Sequence, residues 1–145
     1  MENLAENRRA RFDYDMAKTF DAGIELTGQE VKSVKGGHFQ IAGSRVLIRG
    51  GEAWLVNSHI PPYQPKNMPE GYEDDHARRL LLTKNEIKEL AGSLQEKGLA
   101  LIPIRAYLKK SYIKLELGLG RGRKKYDKRE VIKKRGHRKE MKKID

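Results

Sequence analysis

The sequence predicts a mainly β domain: a small closed antiparallel barrel carrying helices and followed by a basic tail. Three observations carry that prediction. Apolar residues recur at every second position over several short stretches, two stretches show the capped 3.6-residue period of a helix, and the positive charge collects at one end. Several short antiparallel strands must hide their edges, and closure into a barrel removes them. Pattern alone stops there, with oligonucleotide-binding barrels as one member of the class.

Each element has its own signal. Phe20–Leu26 and Phe39–Ile41 are the weaker strand candidates. Thr27 followed by Glu30 forms a Ser/Thr-x-x-Glu capping box before Val31 and Val34, and Gly36-Gly37 stops that short helix. Val46–Arg49 and the alternating run 53–58 are joined through Gly50-Gly51, which supplies the positive φ angles of a two-residue hairpin. Residues 61–76 hold four of the five prolines and the acids Glu73, Asp74 and Asp75, the composition of a mobile surface loop. Thr83 and Glu86 repeat the capping box, and Ile87, Leu90, Ala91 and Leu94 share one face. The helix is expected over 84–97, with Gly98 as its stop. Leu99–Leu108 is β-rich, with Pro103 demanding an edge or a bulge. In the next stretch Ile113, Leu115, Leu117 and Leu119 point one way and Lys114 and Glu116 the other.

Among 145 residues, 31 Lys and Arg face 20 Asp and Glu, giving a formal net charge of +11. Residues 121–145 hold 13 of the cations and 4 acids, so a near-neutral body over 1–122 carries a cationic tail over 123–145. Such a tail repels itself and buries no apolar surface, so it is expected to stay disordered until a polyanion neutralises it. Nucleic acid is the leading partner class, since 13 cations around Tyr126 exceed what solubility needs. A membrane surface fits less well, because the tail has no aromatic-rich apolar face. The body has no apolar run of membrane-spanning length and no apolar signal segment, and the chain has no cysteine. These features fit a cytoplasmic protein.

Motifs for catalysis are sparse. His38, His59, His76 and His137 are scattered, without a zinc-type pair. Asp74-Asp75-His76 reads as solvated loop acids rather than a metal cluster. Gly118–Gly122 lacks the Gly-Lys-Ser/Thr ending of a phosphate loop and reads as a flexible release of the tail. No nucleophile with a base and an orienting group is visible, and neither a cofactor nor a metal is expected. Glu30 is explained by the capping box, although a carboxylate also accepts hydrogen bonds from RNA.

Taken together, the ordered stretches resemble the SsrA-binding protein (small protein B) family of bacterial trans-translation. They comprise Asn7–Arg11 with Asp13-Tyr14, Ala22–Ile24, Thr27–Ser33, Gly51–Asn57, His59-Ile60, Pro62-Tyr63, Arg79–Leu82, Glu96–Leu99, Pro103 and Gly122–Arg129, and they run in family order over about residues 7–130. The resemblance implies a six-stranded antiparallel barrel of the oligonucleotide-binding kind with about three helices. It implies an RNA-binding protein, not an enzyme, and a monomer. Its partners would be the tRNA-like domain of transfer-messenger RNA, elongation factor Tu with GTP, and the rRNA of a stalled ribosome's decoding site and message channel.

Residue by residue, the resemblance puts Arg8, Arg9, Arg11, Glu30, Lys32, Ser33, Asn57, His59, Arg79, Lys124 and Lys125 among the RNA-binding positions. It assigns Tyr126, Asp127, Lys128 and Arg129 to the decoding-site tail, with Met141 and Ile144 as its apolar pair, and has the tail fold as a helix on the ribosome. Gly136 limits that helix, at about 1 kcal/mol of propensity relative to Ala. Two other classes compete: a ribosomal or general RNA-binding barrel with a basic arm, and a small nuclease, which the lack of a catalytic base argues against.

Overall fold

The computed structural model describes residues 2–123. Lys124, Lys125, Tyr126, Asp127, Lys128, Arg129, Met141 and Ile144 lie outside the described residues, as do the tail beyond Arg123 and its proposed helix. The element order is β1 (Glu2–Glu6), α1 (Ala10–Asp13), β2 (Tyr14–Ile24), α2 (Gly28–Lys35), β3 (Arg45–Arg49), β4 (Glu52–Val56), β5 (Arg78–Leu81), α3 (Lys84–Ser93), β6 (Leu99–Lys109) and β7 (Tyr112–Gly122). A single 3-10 turn, Pro65–Asn67, interrupts the long loop before β5.

All pairings are antiparallel. The sheet runs β1-β6-β3-β4-β5-β2-β7, and β7 also pairs with β6, so six strands follow one another in a ring. Where six strands were expected the described residues form seven, because β1 adds to the half of β6 that follows the Pro103 irregularity. That irregularity is the bulge the proline demanded: the β6–β7 register shifts between Pro103 and Arg105. Phe39–Ile41 does not become a strand; it contributes one isolated bridge, Gln40 to His59.

The inward residues follow the two-residue period. Phe20, Ala22, Val46, Ala53, Leu55, Leu80, Leu101, Leu115 and Leu117 meet in one core with Val34 of α2 and Leu90 of α3. Each fully buried valine or leucine side chain there contributes about 1.5–3 kcal/mol. Gly50 and Gly51, at φ 62° and 74°, form the expected hairpin turn between β3 and β4.

Both capping boxes are complete: Thr27 with Glu30, and Thr83 with Glu86. Helix α3 ends at Ser93, four residues before the expected 97. Gln95 and Glu96 bond three residues back, to Gly92 and Ser93, tightening the chain into turns before Gly98 at φ 88°. Gly118 and Gly120, expected to be flexible, are instead required by close packing within β7. A Cβ at Gly120 would lie 2.5 Å from the Asp15 carbonyl oxygen, and one at Gly118 would lie 2.5 Å from the Met16 sulfur. The facing strand can approach that closely only at glycine.

Candidate nucleic-acid interface

The first turn of α2 places Glu30 under the long loop. Its carboxylate is all but sealed from water, at 1 % relative exposure. One oxygen accepts the Thr27 N–H at 3.0 Å, closing the capping box. The other faces Arg78 Nη2 at 2.8 Å and Nε at 2.9 Å, His76 Nε2 at 2.9 Å and the Tyr72 hydroxyl at 3.2 Å. Arg78 is buried as fully as Glu30, and its remaining N–H groups reach Ser58 Oγ and the carbonyls of His76 and Asp74. Burial by itself would raise the Glu30 pKa. The Thr27, His76 and Arg78 hydrogen bonds and the Arg78 charge outweigh it and hold the carboxyl below its ordinary value.

The loop is therefore tied down at both ends rather than loose throughout. Ile60 N–H donates to the Asp74 carbonyl, Tyr72 Oη lies 2.8 Å from the Ile60 carbonyl, and Ser33 Oγ donates to the Pro61 carbonyl at 2.8 Å. Asp74 and His76 thus anchor the loop. Among the described residues no group of three or more metal-ligating side chains converges. No described helix is long and apolar enough to cross a membrane.

The expected RNA-binding residues fall into four places. Lys32 lies over the exposed Tyr63 ring, 5.7 Å from its centroid, beside the Glu30 cluster; His59 stands near, 3.7 Å from Asp74. Glu30 and Ser33 are beneath that surface, buried and bonded to protein, so neither offers an open acceptor or donor to a ligand. Arg9 and Asn57 share a recess of about 370 Å³, where Asn57 holds φ 66°. Arg8 and Arg11 border a smaller one with Glu6 and Arg105. Arg79 faces the other side of β5 and pairs with Glu52 at 3.2 Å and Glu25 at 3.5 Å.

Sequence reasoning did not anticipate Tyr72, His76 and Arg78. The one available signal was a run of polar residues leading into the apolar Leu80–Leu82, too common to single out a buried arginine.

These features define a class: an antiparallel β domain with three helices, whose buried glutamate–arginine pair braces a surface of lysine, tyrosine and histidine. The sequence profile of the SmpB protein family matches residues 4–145. The SsrA-binding protein of Gloeothece citriformis is 44% identical over 138 residues, spanning 95% of this chain and 89% of the relative. That of Nostoc punctiforme is 44% identical over 132 residues, 91% of this chain and 85% of the relative. A solved chain, described under "tmRNA-SmpB: a journey to the center of the bacterial ribosome", superposes with a TM-score of 0.68 at 40% identity, over 88% of this chain and 92% of that one. The chain belongs to the SmpB family.

Proposed function

We propose that this protein binds the tRNA-like domain of transfer-messenger RNA and delivers it to stalled ribosomes for trans-translation, the rescue and peptide tagging of broken synthesis. The observation that carries this reading is the family match across residues 4–145, body and tail together. It acts by binding, not by catalysis, as a cytoplasmic monomer. The ring of six strands supports reading the body as a closed barrel of the oligonucleotide-binding kind.

Geometry suggests how the body would work. A buried, charge-balanced pair cannot touch RNA, but it can hold a rigid frame. Glu30 joins α2 to the long loop and to β5 in one step, fixing where Lys32, Tyr63 and His59 stand. Glu30 and Ser33 are thus positioning residues. Lys32, His59, Asn57, Arg8, Arg9, Arg11 and Arg79, with Lys124 and Lys125, supply charge and hydrogen bonds to the RNA, and the exposed Tyr63 ring offers a face for a base. Tyr126, Asp127, Lys128 and Arg129 would enter the decoding site, with Met141 and Ile144 toward the end of a tail that becomes helical on rRNA. Elongation factor Tu with GTP would accompany delivery. Domain boundaries of 1–122 and 123–145 follow from this division.

The experiment is a reconstituted translation reaction on a message without a stop codon, supplied with transfer-messenger RNA and elongation factor Tu. Nascent chains should acquire the tag when the protein is added. Untagged chains at saturating protein would overturn the reading, and constitutive co-sedimentation with ribosomal subunits would favour a ribosomal protein.

A further inference from the structure

The outer face of the β3–β4 hairpin carries apolar surface that the fold does not use. Val46, Ala53 and Leu55 point into the core, so Leu47, Trp54 and Val56 alternate to the outside. Those three are half-buried, and none belongs to the core or packs against it. Leu47 and Trp54 are direct cross-strand neighbours, and with Val56, Arg49 and Ala77 they line a recess of about 280 Å³. Trp54 is held in place from one side, its indole N–H donating to the Arg49 carbonyl at 3.4 Å.

Cations frame this recess. Arg45 and Arg49 are exposed at the two ends of β3, with no side-chain hydrogen bond or ion pair among the described residues. They lie on the same face as Leu47, about 13 Å apart at strand spacing. Two acids reach this face, Glu52 and Glu25, and both already sit on Arg79, the residue directly opposite Trp54 on β5. The face is therefore net positive, with a half-buried indole at its centre. It is also separate from the Glu30 cluster: Arg78 points inward to Glu30, and its neighbour Arg79 points outward here.

We infer that the outer face of β3–β4, centred on Trp54 between Arg45 and Arg49, is a second RNA-binding surface that takes an unpaired base on the indole. Single-stranded RNA supplies both chemistries the face lacks: phosphates for two free guanidinium groups and a flat aromatic for the tryptophan. An acidic protein segment would answer the charge but leave the recess without a stacking partner.

Trp54 is the single tryptophan of the chain, so its emission reports on this face alone. The full-length protein would be titrated with unlabelled decaadenylate for emission, and with fluorescein-labelled decaadenylate for anisotropy. Trp54 emission should quench in step with the anisotropy rise. Arg45→Glu with Arg49→Glu, both on the surface, should abolish the quench, and Trp54→Ala should weaken binding at least about fivefold, the low end for loss of one stacked base. Poly-glutamate should leave emission unchanged. An anisotropy rise without quenching would overturn the inference, as would failure of the decamer to bind or equal quenching by poly-glutamate. Loss of tagging activity with quenching intact would instead fault the proposed function and leave this surface standing.

Discussion

Arg78 Nη2 lies 2.8 Å from Glu30 Oε2, and both side chains are excluded from water. The pair links the first turn of α2 to the start of β5, 48 residues away in sequence. A capping glutamate alone is worth on the order of 1 kcal/mol. A buried partner raises the stakes, because removing one member strands the other's charge.

Glu30→Ala should therefore cost about 3–5 kcal/mol, well above the loss of a cap, and Glu30→Gln should cost less because its one amide oxygen can still accept from either Thr27 N–H or Arg78, though not from both. Urea denaturation of both variants measures this. A loss for Glu30→Ala of about 1 kcal/mol or less would reduce the residue to a cap.

The same pair dictates a pH dependence. The folded-state pKa of Glu30 is depressed, so in the window between its folded and unfolded values the folded protein binds fewer protons. Its contribution is fully present above the ordinary glutamate value and is lost as pH falls through the lowered one. The stability gap between wild type and Glu30→Gln should shrink across that acid range. A gap that stays constant down to acid-induced unfolding would contradict it.

Two glycines should respond oppositely to alanine. Gly92 lies inside α3, where an added methyl group would meet nothing within 4 Å, so Gly92→Ala should gain about 0.5–1 kcal/mol. Gly120→Ala drives a methyl group against the Asp15 backbone and should cost about 1–3 kcal/mol or more. Thermal melts of the two variants test both signs at once.

Salt separates engaged charges from spectators. If roughly six cations meet phosphates, log K for the tRNA-like domain should fall with log salt at a slope of about −4 to −5. A slope near −1 would mean that most of the positive charge takes no part.

Much of the fold was legible because it rests on local patterns. The two capping boxes, the Gly50-Gly51 turn, the alternation through Ile113–Leu119 and the Pro103 bulge each announce themselves within a few residues. What was hidden is non-local. The strands β1 and β5 are short, and only their pairing partners define them; α1 is a single turn of four residues. Arg78 looks like any surface arginine until Glu30 lies beside it, and Gly120 looks like a hinge until β2 passes over it. For the site, the ordered family motifs pointed to Glu30 and Lys32 alike, and only burial separates Glu30, sealed from water, from Lys32, which stays at the surface.

Competition binding tests the central claim most directly: labelled tRNA-like domain of transfer-messenger RNA challenged by itself and by an unrelated RNA duplex of equal length at physiological salt. The self-competitor should displace the label at concentrations at least about tenfold lower, a difference of about 1.4 kcal/mol. Equal displacement by the duplex would show general RNA binding and contradict specific recognition of the tRNA-like domain.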